Sequence, residues 1–396
     1  MSYLIQDIEI TRPFPKLTVR NGEKGLGILL RYQGSPVDFR LAAHTNNCVQ
    51  FPRDLTHYST EFEKFKSACK NTYGRKGTMV RPIALPTLTI AICTRNRPTL
   101  LAKCLNALLA LKPVALKLPV EREILVVDNS QTCKKTRALV ESMPGVRYAR
   151  EAKPGLNFAR NRALREARHE LLAFLDDDTI VDCHWLEGLM KAWAENRDAV
   201  AFTGQVLPAE LNTKAQIMFE QYGGFRKGFK QVRYGLKIPG NIFYPCDPGI
   251  FGTGANMAFR RDILLQLGGF DEALDTGPSL PGGGDTDIFY RVIRAGYTLV
   301  YEPSYLIFHY HRQDVASLKT QLCKSWGEGY MAFVAKSFRA DPSQRLKFIG
   351  MIVWWFTAKV WHLFKSLLGC HPLSPRMILA KIGGGSPACV ADIHGR

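Results

Sequence analysis

What the chain lacks narrows its class first. Its ten cysteines include no C-x-x-C pair and no regular spacing, so neither a zinc ribbon nor a disulfide framework is expected. Cys93 and Cys104 lie inside apolar runs, where a thiol serves as a small hydrophobe. Reduced thiols fit a cytoplasmic setting. Residues 1–12 carry Asp7 and Glu9 and no apolar core, which argues against a secretory leader. No run of about 18 apolar residues free of charge occurs, so a membrane span is not expected. Internal repeats and low-complexity tracts are missing too. Acid is scarce: 53 Lys and Arg face 35 Asp and Glu, a net charge of +18. A field of that sign favours nucleotides, phosphorylated lipids, acidic membrane surfaces or nucleic acid, with a merely solvated basic surface as the plain alternative. What is present, 46% hydrophobic and 22% charged residues in a chain of 396, is the composition of a folded protein with one large domain and extensions, or two domains.

Residues 1–85 read as short strands and loops, such as Gly27–Tyr32 and Pro36–Leu41, split by glycine and proline. From Pro86 the pattern changes. Leu88–Ile92, Ile124–Val127 and Leu171–Leu175 are short apolar runs of buried-strand type. Between them, Leu100, Leu101, Cys104, Leu105 and Leu108, then Leu156, Ala159, Ala163 and Leu164, recur at helical spacing. Trp185, Leu186, Leu189 and Trp193 repeat the stripe after the third run. Apolar strands alternating with helices predict an α/β domain on a parallel sheet covered on both faces.

Each strand runs straight into polar residues. Thr94-Arg95-Asn96-Arg97 follows the first, Asp128-Asn129-Ser130 the second and Asp176-Asp177-Asp178 the third. Ligands of open parallel sheets bind at the carboxyl ends of strands, so these groups are expected on one edge. Three adjacent carboxylates repel unless something positive holds them, and hard divalent cations prefer oxygen ligands. The plain alternative is a helix N-terminus, for which one Asp would suffice. Asp128 could equally close an Asx turn. Arg160 and Asn161, near the start of the helix after Lys153-Pro154-Gly155, are placed to meet a phosphate or ribose.

Three later segments carry further candidates. Gly252–Asn256 fails as a dinucleotide fingerprint and reads as a close-approach loop under a sugar, or as an ordinary turn. Pro281-Gly282-Gly283-Gly284-Asp285-Thr286-Asp287 enters a helix; either Asp could be its N-cap, or a general base beside a backbone that glycine lets approach a ligand. His309 and His311, two apart on an extended segment, point to one side and could add a nitrogen to a metal site.

Taken together these segments resemble the family 2 glycosyltransferases of the GT-A fold, in a bacterial-type branch. IAICTRNRPTLLAKCLNALL is similar to the family's first strand and helix, and ILVVDNS to its second strand. KPGLNFARNRALREA is similar to the helix that follows, and FLDDDTIVDCHWLEGLMKAW to the D-x-D segment. GTGANMAFRRDILLQLGGFDE and GGGDTDIFYRVIRAGY are similar to the acceptor-side half. The resemblance covers residues 86–315. It implies a GT-A catalytic domain there (a Rossmann-like nucleotide-diphospho-sugar transferase), between a β-rich extension at 1–85 and a helical tail at 316–396. It implies nucleotide contacts from Thr94, Arg95 and Asp128 and a diphosphate contact from Asp176, and the strand-end, helix-start and loop positions add Asn96, Arg160, Asn161, Asp177 and Asn256 as candidate donor contacts. A Mn²⁺ or Mg²⁺ would sit on Asp176 and Asp178, with His309 or His311, and Asp285 would be the base of an inverting transfer to a hydroxyl of a glycan or lipid-linked acceptor. Where the family commonly has Glu-Asp this chain has Gly284-Asp285, and Asp287 is the second candidate base.

In residues 348–369, Lys359, His362, Lys365 and Ser366 interrupt an apolar, tryptophan-rich run at helical steps. Such a helix either lies in a bilayer interface or packs on the domain. The first reading gives peripheral attachment at the cytoplasmic face of the inner membrane. Two rivals remain at this stage. A nucleotidyltransferase acting on sugar phosphates would need a glycine-rich phosphate loop after the first strand, and Cys93–Pro98 has no glycine. A nucleic-acid-binding protein would use a basic stretch with interleaved aromatics, as in Gly223–Lys230, which equally suits a loop over the donor; no nucleic acid is expected.

Overall fold

The structure is a computed structural model that describes residues 2–13, 15, 17, 22–45, 48–49, 85–111, 120–131, 134–238, 240–276, 280 and 282–384. Most of the second half of the β-rich extension, residues 50–84, and Pro281 of the glycine run lie outside the described residues.

The extension contributes β1 (Ser2–Glu9), β2 (Glu23–Tyr32), β3 (Ser35–Thr45) and β4 (Cys48–Val49), in the spatial order β1-β2-β3-β4. Gln33 and Gly34 both adopt positive φ between β2 and β3, which gives the two-residue turn whose twist matches antiparallel strands. Leu29 and Phe39 pack against Leu207, Leu211 and Leu306 of the main domain. Buried Arg31 is held by Asp7 and reaches across to Asp182. The extension is thereby tied to the large domain by an apolar face and by an ion pair.

The large sheet is built from β5 (Leu88–Thr94), β6 (Arg122–Asp128), β7 (Val146–Arg150), β8 (Leu171–Asp176), β9 (Thr179–Val181), β10 (Ala199–Pro208), β11 (Val232–Tyr234), β12 (Asn256–Arg260) and β13 (Thr298–His309). Its order is β11-β13-β10-β12-β8-β5-β6-β7, with β9 paired to β13. The helices between and around the strands are α1 (Pro98–Leu109), α2 (Lys134–Glu141), α3 (Leu156–Glu166), α4 (Trp185–Glu195), α5 (Lys214–Gln221), α6 (Arg261–Gln266) and α7 (Gly284–Arg294). The expected parallel sheet holds for β7-β6-β5-β8. Beyond β8 the sheet is mixed, because β12 runs antiparallel to both β8 and β10. Alternation along β5 sends Ile90 and Ile92 to the core with α1 and α4, and Ala91 to the core with α3 and α7. Each large side chain removed from water there contributes about 1.5–3 kcal/mol.

The chain leaves β5 toward β6 on one side and β8 on the other, so the ends of β5, β6 and β8 open a crevice at a reversal of strand order. Two expectations are corrected at its margins. The acidic run does not lead into a helix but turns into β9, and α4 begins only at Trp185. The extended segment expected to carry both His309 and His311 ends at His309, bringing that imidazole to the crevice and leaving His311 beyond the strand.

The tail forms α8 (Val315–Thr320), a π-helical stretch (Gln321–Glu328), α9 (Gly329–Ala340), α10 (Arg345–Leu367) and α11 (Pro375–Gly384). It packs on the domain through two apolar clusters. Phe219 of α5 meets Leu318, Leu322, Leu373 and Met377, while Tyr290 of α7 meets Phe333, Phe348 and Met351. Among the described residues, no helix is long and apolar enough to cross a membrane.

Candidate active site

The residues at the strand ends converge on a cavity of about 1000 Å³. Its floor is the turn after β8. Thr94 donates to Asp177 Oδ2 at 2.6 Å, and Arg97 Nη1 meets Asp177 Oδ1 at 3.0 Å and Asp178 Oδ2 at 2.8 Å. His309 Nε2 lies 3.2 Å from Asp178 Oδ1. Burial pushes the carboxyl of Asp177 up to about 6, and burial together with the neighbouring Asp178 raises that of Asp176. Burial acts on Asp178 as well, but His309 and Arg97 outweigh it and hold this carboxyl well below the usual range. Reciprocally, Asp178 overcomes burial and raises His309.

Ligand atoms of Asp176, Asp178 and His309 all lie within 4.8 Å of one another. Two carboxylates and one imidazole make a donor set that suits Mn²⁺ or Mg²⁺. Among the described residues no Lys or Arg forms an ion pair with Asp176, so this corner has a carboxylate to spare for a cation. His311 takes no part in the trio. The strand ends at His309, and His311 turns Nδ1 to His309 Nδ1 at 3.1 Å and Nε2 to Glu220 at 2.9 Å. It braces the His309 ring from behind.

Asp285 lines the same cavity from the first turn of α7. Neither Asp285 nor Asp287 is the N-cap; that position is Gly283, in the left-handed region at φ 94°. Asp285 Oδ2 accepts the Gly254 N–H at 2.8 Å, and the residue faces the cavity shared with Asp176 and Asp178. Asp287 points away. It is buried and ion-paired to Arg291 at 2.8 Å and Lys336 at 2.6 Å.

The glycine run serves close packing. A Cβ on Gly284 would fall 2.3 Å from Asp275 Oδ2 and from Asn157 Nδ2, and one on Gly283 would meet the Gly329 carbonyl at 2.5 Å. Asp275 therefore fills the space that a side chain at position 284 would take. It accepts the Gly284 N–H at 3.0 Å, lies 3.5 Å from Arg160 Nη1, and is raised to about 6 by burial. Restoring the family's acidic pair with Gly284→Glu is expected to lower stability by about 1–3 kcal/mol, the usual cost of overpacking. Thermal melting checks this, and an unchanged melting temperature would mean that Asp275 and Asn157 yield freely.

The other expected donor residues divide. Thr94, Arg95, Arg160, Asp176 and Asp177 line the cavity. Asp128 is the register partner of Thr94 at the next strand end, but its Oδ1 closes an Asx turn on the Ser130 N–H and its Oδ2 accepts from Tyr148. Asn96, at positive φ, is exposed beside the cavity. Two asparagines are internal struts. Asn161 binds both the N–H and the carbonyl of Phe270, and Asn256 binds the carbonyls of Gln205 and Tyr305 and the Trp185 indole.

The cavity also takes residues the sequence reading passed over. Asn129 anchors Gly155 and the Lys153 carbonyl. Lys227 brings a cation toward Asp247 and Asp285. Trp326, Tyr330, Trp354, Trp355 and Lys381 form a wall contributed by the tail. A signal existed for Lys227 in the glycine-flanked Gly223–Lys230 stretch. In that stretch Phe225 packs edge-on against His309 and close to Trp326, and Arg226 pairs with Glu220.

The family model for glycosyl transferase family 2 matches residues 89–268. The succinoglycan biosynthesis protein ExoM of Rhizobium meliloti is 31% identical over 237 residues, covering 58% of this chain and 69% of that protein. A glucosyl-dolichyl phosphate glucuronosyltransferase of Haloferax volcanii is 25% identical over 162 residues, 39% of this chain, and the match spans only 46% of that relative. Among solved structures, a mannosyltransferase of Pyrobaculum calidifontis in complex with GDP-Man and Mn²⁺ superposes with a TM-score of 0.50 at 15% identity, covering 83% of this chain and 95% of that one. That likeness is one of fold.

Proposed function

Because the chain belongs to glycosyl transferase family 2, we propose that it transfers a sugar, with inversion, from a nucleoside-diphosphate sugar to an acceptor hydroxyl. The observation that carries this is that Asp285 lines the same cavity as the Asp176–Asp178–His309 trio. Thr94 and Arg95, at the end of β5, are assigned to the nucleoside, while Asp128, closed on Ser130 and Tyr148 at the end of β6, shapes the neighbouring strand end. Arg160 and Asp177 belong to the diphosphate and sugar. Asp176, Asp178 and His309 would hold a divalent cation, which neutralises charge developing on a diphosphate leaving group.

The chain's own residues supply the rest. Asp285, fixed by the Gly254 N–H, takes the proton of the acceptor hydroxyl as that oxygen forms a bond to the sugar C1. The bond from C1 to the diphosphate oxygen breaks on the opposite face, and the nucleoside diphosphate departs with the electron pair. Thr94 and Arg97 hold Asp177 and Asp178 in place, so the acidic corner needs no rearrangement during the reaction. The Haloferax relative is named for a glucosyl-dolichyl phosphate acceptor. That supports an acceptor of the lipid-linked class here; a meeting with it at the cytoplasmic face of a membrane is our own assignment. A nucleotidyltransferase lacks support, since the segment after β5 is the arginine-rich turn clamped on Asp177 and Asp178.

The test is the anomeric configuration of the product, read by NMR after incubation with Mn²⁺ and a panel of UDP-, GDP- and dTDP-sugars. Inversion is expected, and a product that retains the donor's anomer would overturn the single-displacement assignment of Asp285.

A further inference from the structure

Helix α10 buries one side and leaves the other bare. Phe348, Met351, Trp355 and Lys359 face the domain. Leu346, Ile349, Val353, Val360, Phe364 and Leu367 recur at steps of three, four or seven and are all exposed, Leu346 at 84%, Val360 at 61% and Leu367 at 68%. At 1.5 Å per residue this stripe runs for about 30 Å. Trp354 and Trp361, each more than half exposed, border it on one side. No charged residue falls within the stripe; Arg345 and Lys365 flank it.

We propose that α10 lies in the headgroup plane of an anionic phospholipid bilayer, with this stripe immersed. Three observations select that occupant. Between Asp341 and Asp392 the chain carries no acidic residue, and Arg345, Lys365 and Arg376 are exposed there while Lys359 and Lys381 are buried, so the exposed charge complements a negative surface. A second copy packed on the same face would bring two such basic segments together. The helix cannot cross a bilayer, whereas an apolar stripe with bordering tryptophans and flanking cations fits a helix lying in one.

The arrangement has a consequence for the cavity. Trp354 borders the exposed stripe and, with neighbouring Trp355, also lines the cavity that holds Asp285. Seating α10 in the headgroups sets that wall at the lipid surface, so an acceptor carried by a lipid enters along the bilayer plane. This last step rests on the proposed sugar transfer; the docking of α10 does not.

Sedimentation of the full chain with vesicles tests it. The chain is expected to pellet with phosphatidylcholine vesicles containing about a quarter phosphatidylglycerol, and less so with phosphatidylcholine alone or at high salt. The double variant Val353→Glu, Phe364→Glu should bind at least about tenfold more weakly, since each change removes an apolar side chain from the immersed stripe and sets a negative charge against anionic headgroups. A melting curve matching the wild type establishes that the variant folds. Wild type that stays in solution with both vesicles, or a folded variant that pellets equally, overturns the proposal. So does a wild-type dimer in solution that the variant splits, which would give the face to a second copy. Vesicle binding without any nucleotide-sugar turnover would leave the docking standing and remove the transfer reading alone.

Discussion

Asp285→Asn is expected to lower turnover by about 10³-fold while leaving donor affinity nearly unchanged, within the range that a positioned general base contributes. The amide oxygen can still accept the Gly254 N–H that now goes to Asp285 Oδ2, so the cavity keeps its shape and only the proton acceptor is lost. Steady-state kinetics with saturating donor and varied acceptor measure the effect. If the variant kept more than about a tenth of wild-type kcat, the base would have to be sought elsewhere. Asp287→Asn is the informative control. That carboxylate is buried and bound by Arg291 and Lys336, and opening a buried pair costs about 3–5 kcal/mol. Its loss should appear in the melting temperature and not as a defect of chemistry in folded enzyme.

Asp178→Ala should be nearly as damaging by a different route. Residues that merely orient metal ligands cost 10–100-fold when mutated, so removal of a proposed ligand is expected to cost at least about 10²-fold in turnover. The same variant should lose the extra rise in melting temperature that Mn²⁺ gives with UDP or GDP; a ligand at about a hundred times its Kd stabilises the native state by about 2.7 kcal/mol. Without metal, the variant should also lose stability at neutral pH, because the buried carboxylate is held by Arg97 and His309, so the informative readout is the metal-dependent rise and not the melting temperature itself. A metal-dependent rise equal to that of wild type would remove the acidic turn from the site.

The legible part of this molecule was the part written in consecutive residues. Apolar runs ending in Thr94, Asp128 and Asp176 announced three strand ends, and parallel-sheet geometry placed them on one edge. The same rule did not reveal β12, a five-residue strand that inserts antiparallel beside β8, because a short apolar run carries no sign of its direction. Asparagine is hard to read for a similar reason. Its amide both donates and accepts, and nothing local tells whether the partners are a ligand or distant backbone, as they are for Asn161 and Asn256.

Alternation put His309 and His311 on one side, and their rings do lie together, 5.2 Å between centroids and tilted by 33°. Which ring meets the carboxylates was decided by Glu220, a residue on α5 some ninety positions earlier, that takes His311. Asp275 was overlooked because its importance comes from the missing side chain at Gly284. The tail helix was read as lying either in a bilayer interface or against the domain, when α10 has two apolar faces, one packed on the domain and one bare.

The central claim is that the turn after β8 binds a divalent cation together with a nucleoside diphosphate. Electron paramagnetic resonance of Mn²⁺ tests this directly, since the free aquo ion loses its sharp signal on binding. Titrating protein into Mn²⁺ with UDP or GDP should deplete the free-ion signal to one ion per chain, more tightly than without nucleotide, and Asp178→Ala should abolish the depletion beyond what nucleotide alone binds. Equal depletion by that variant, or none by the wild type, would contradict the account.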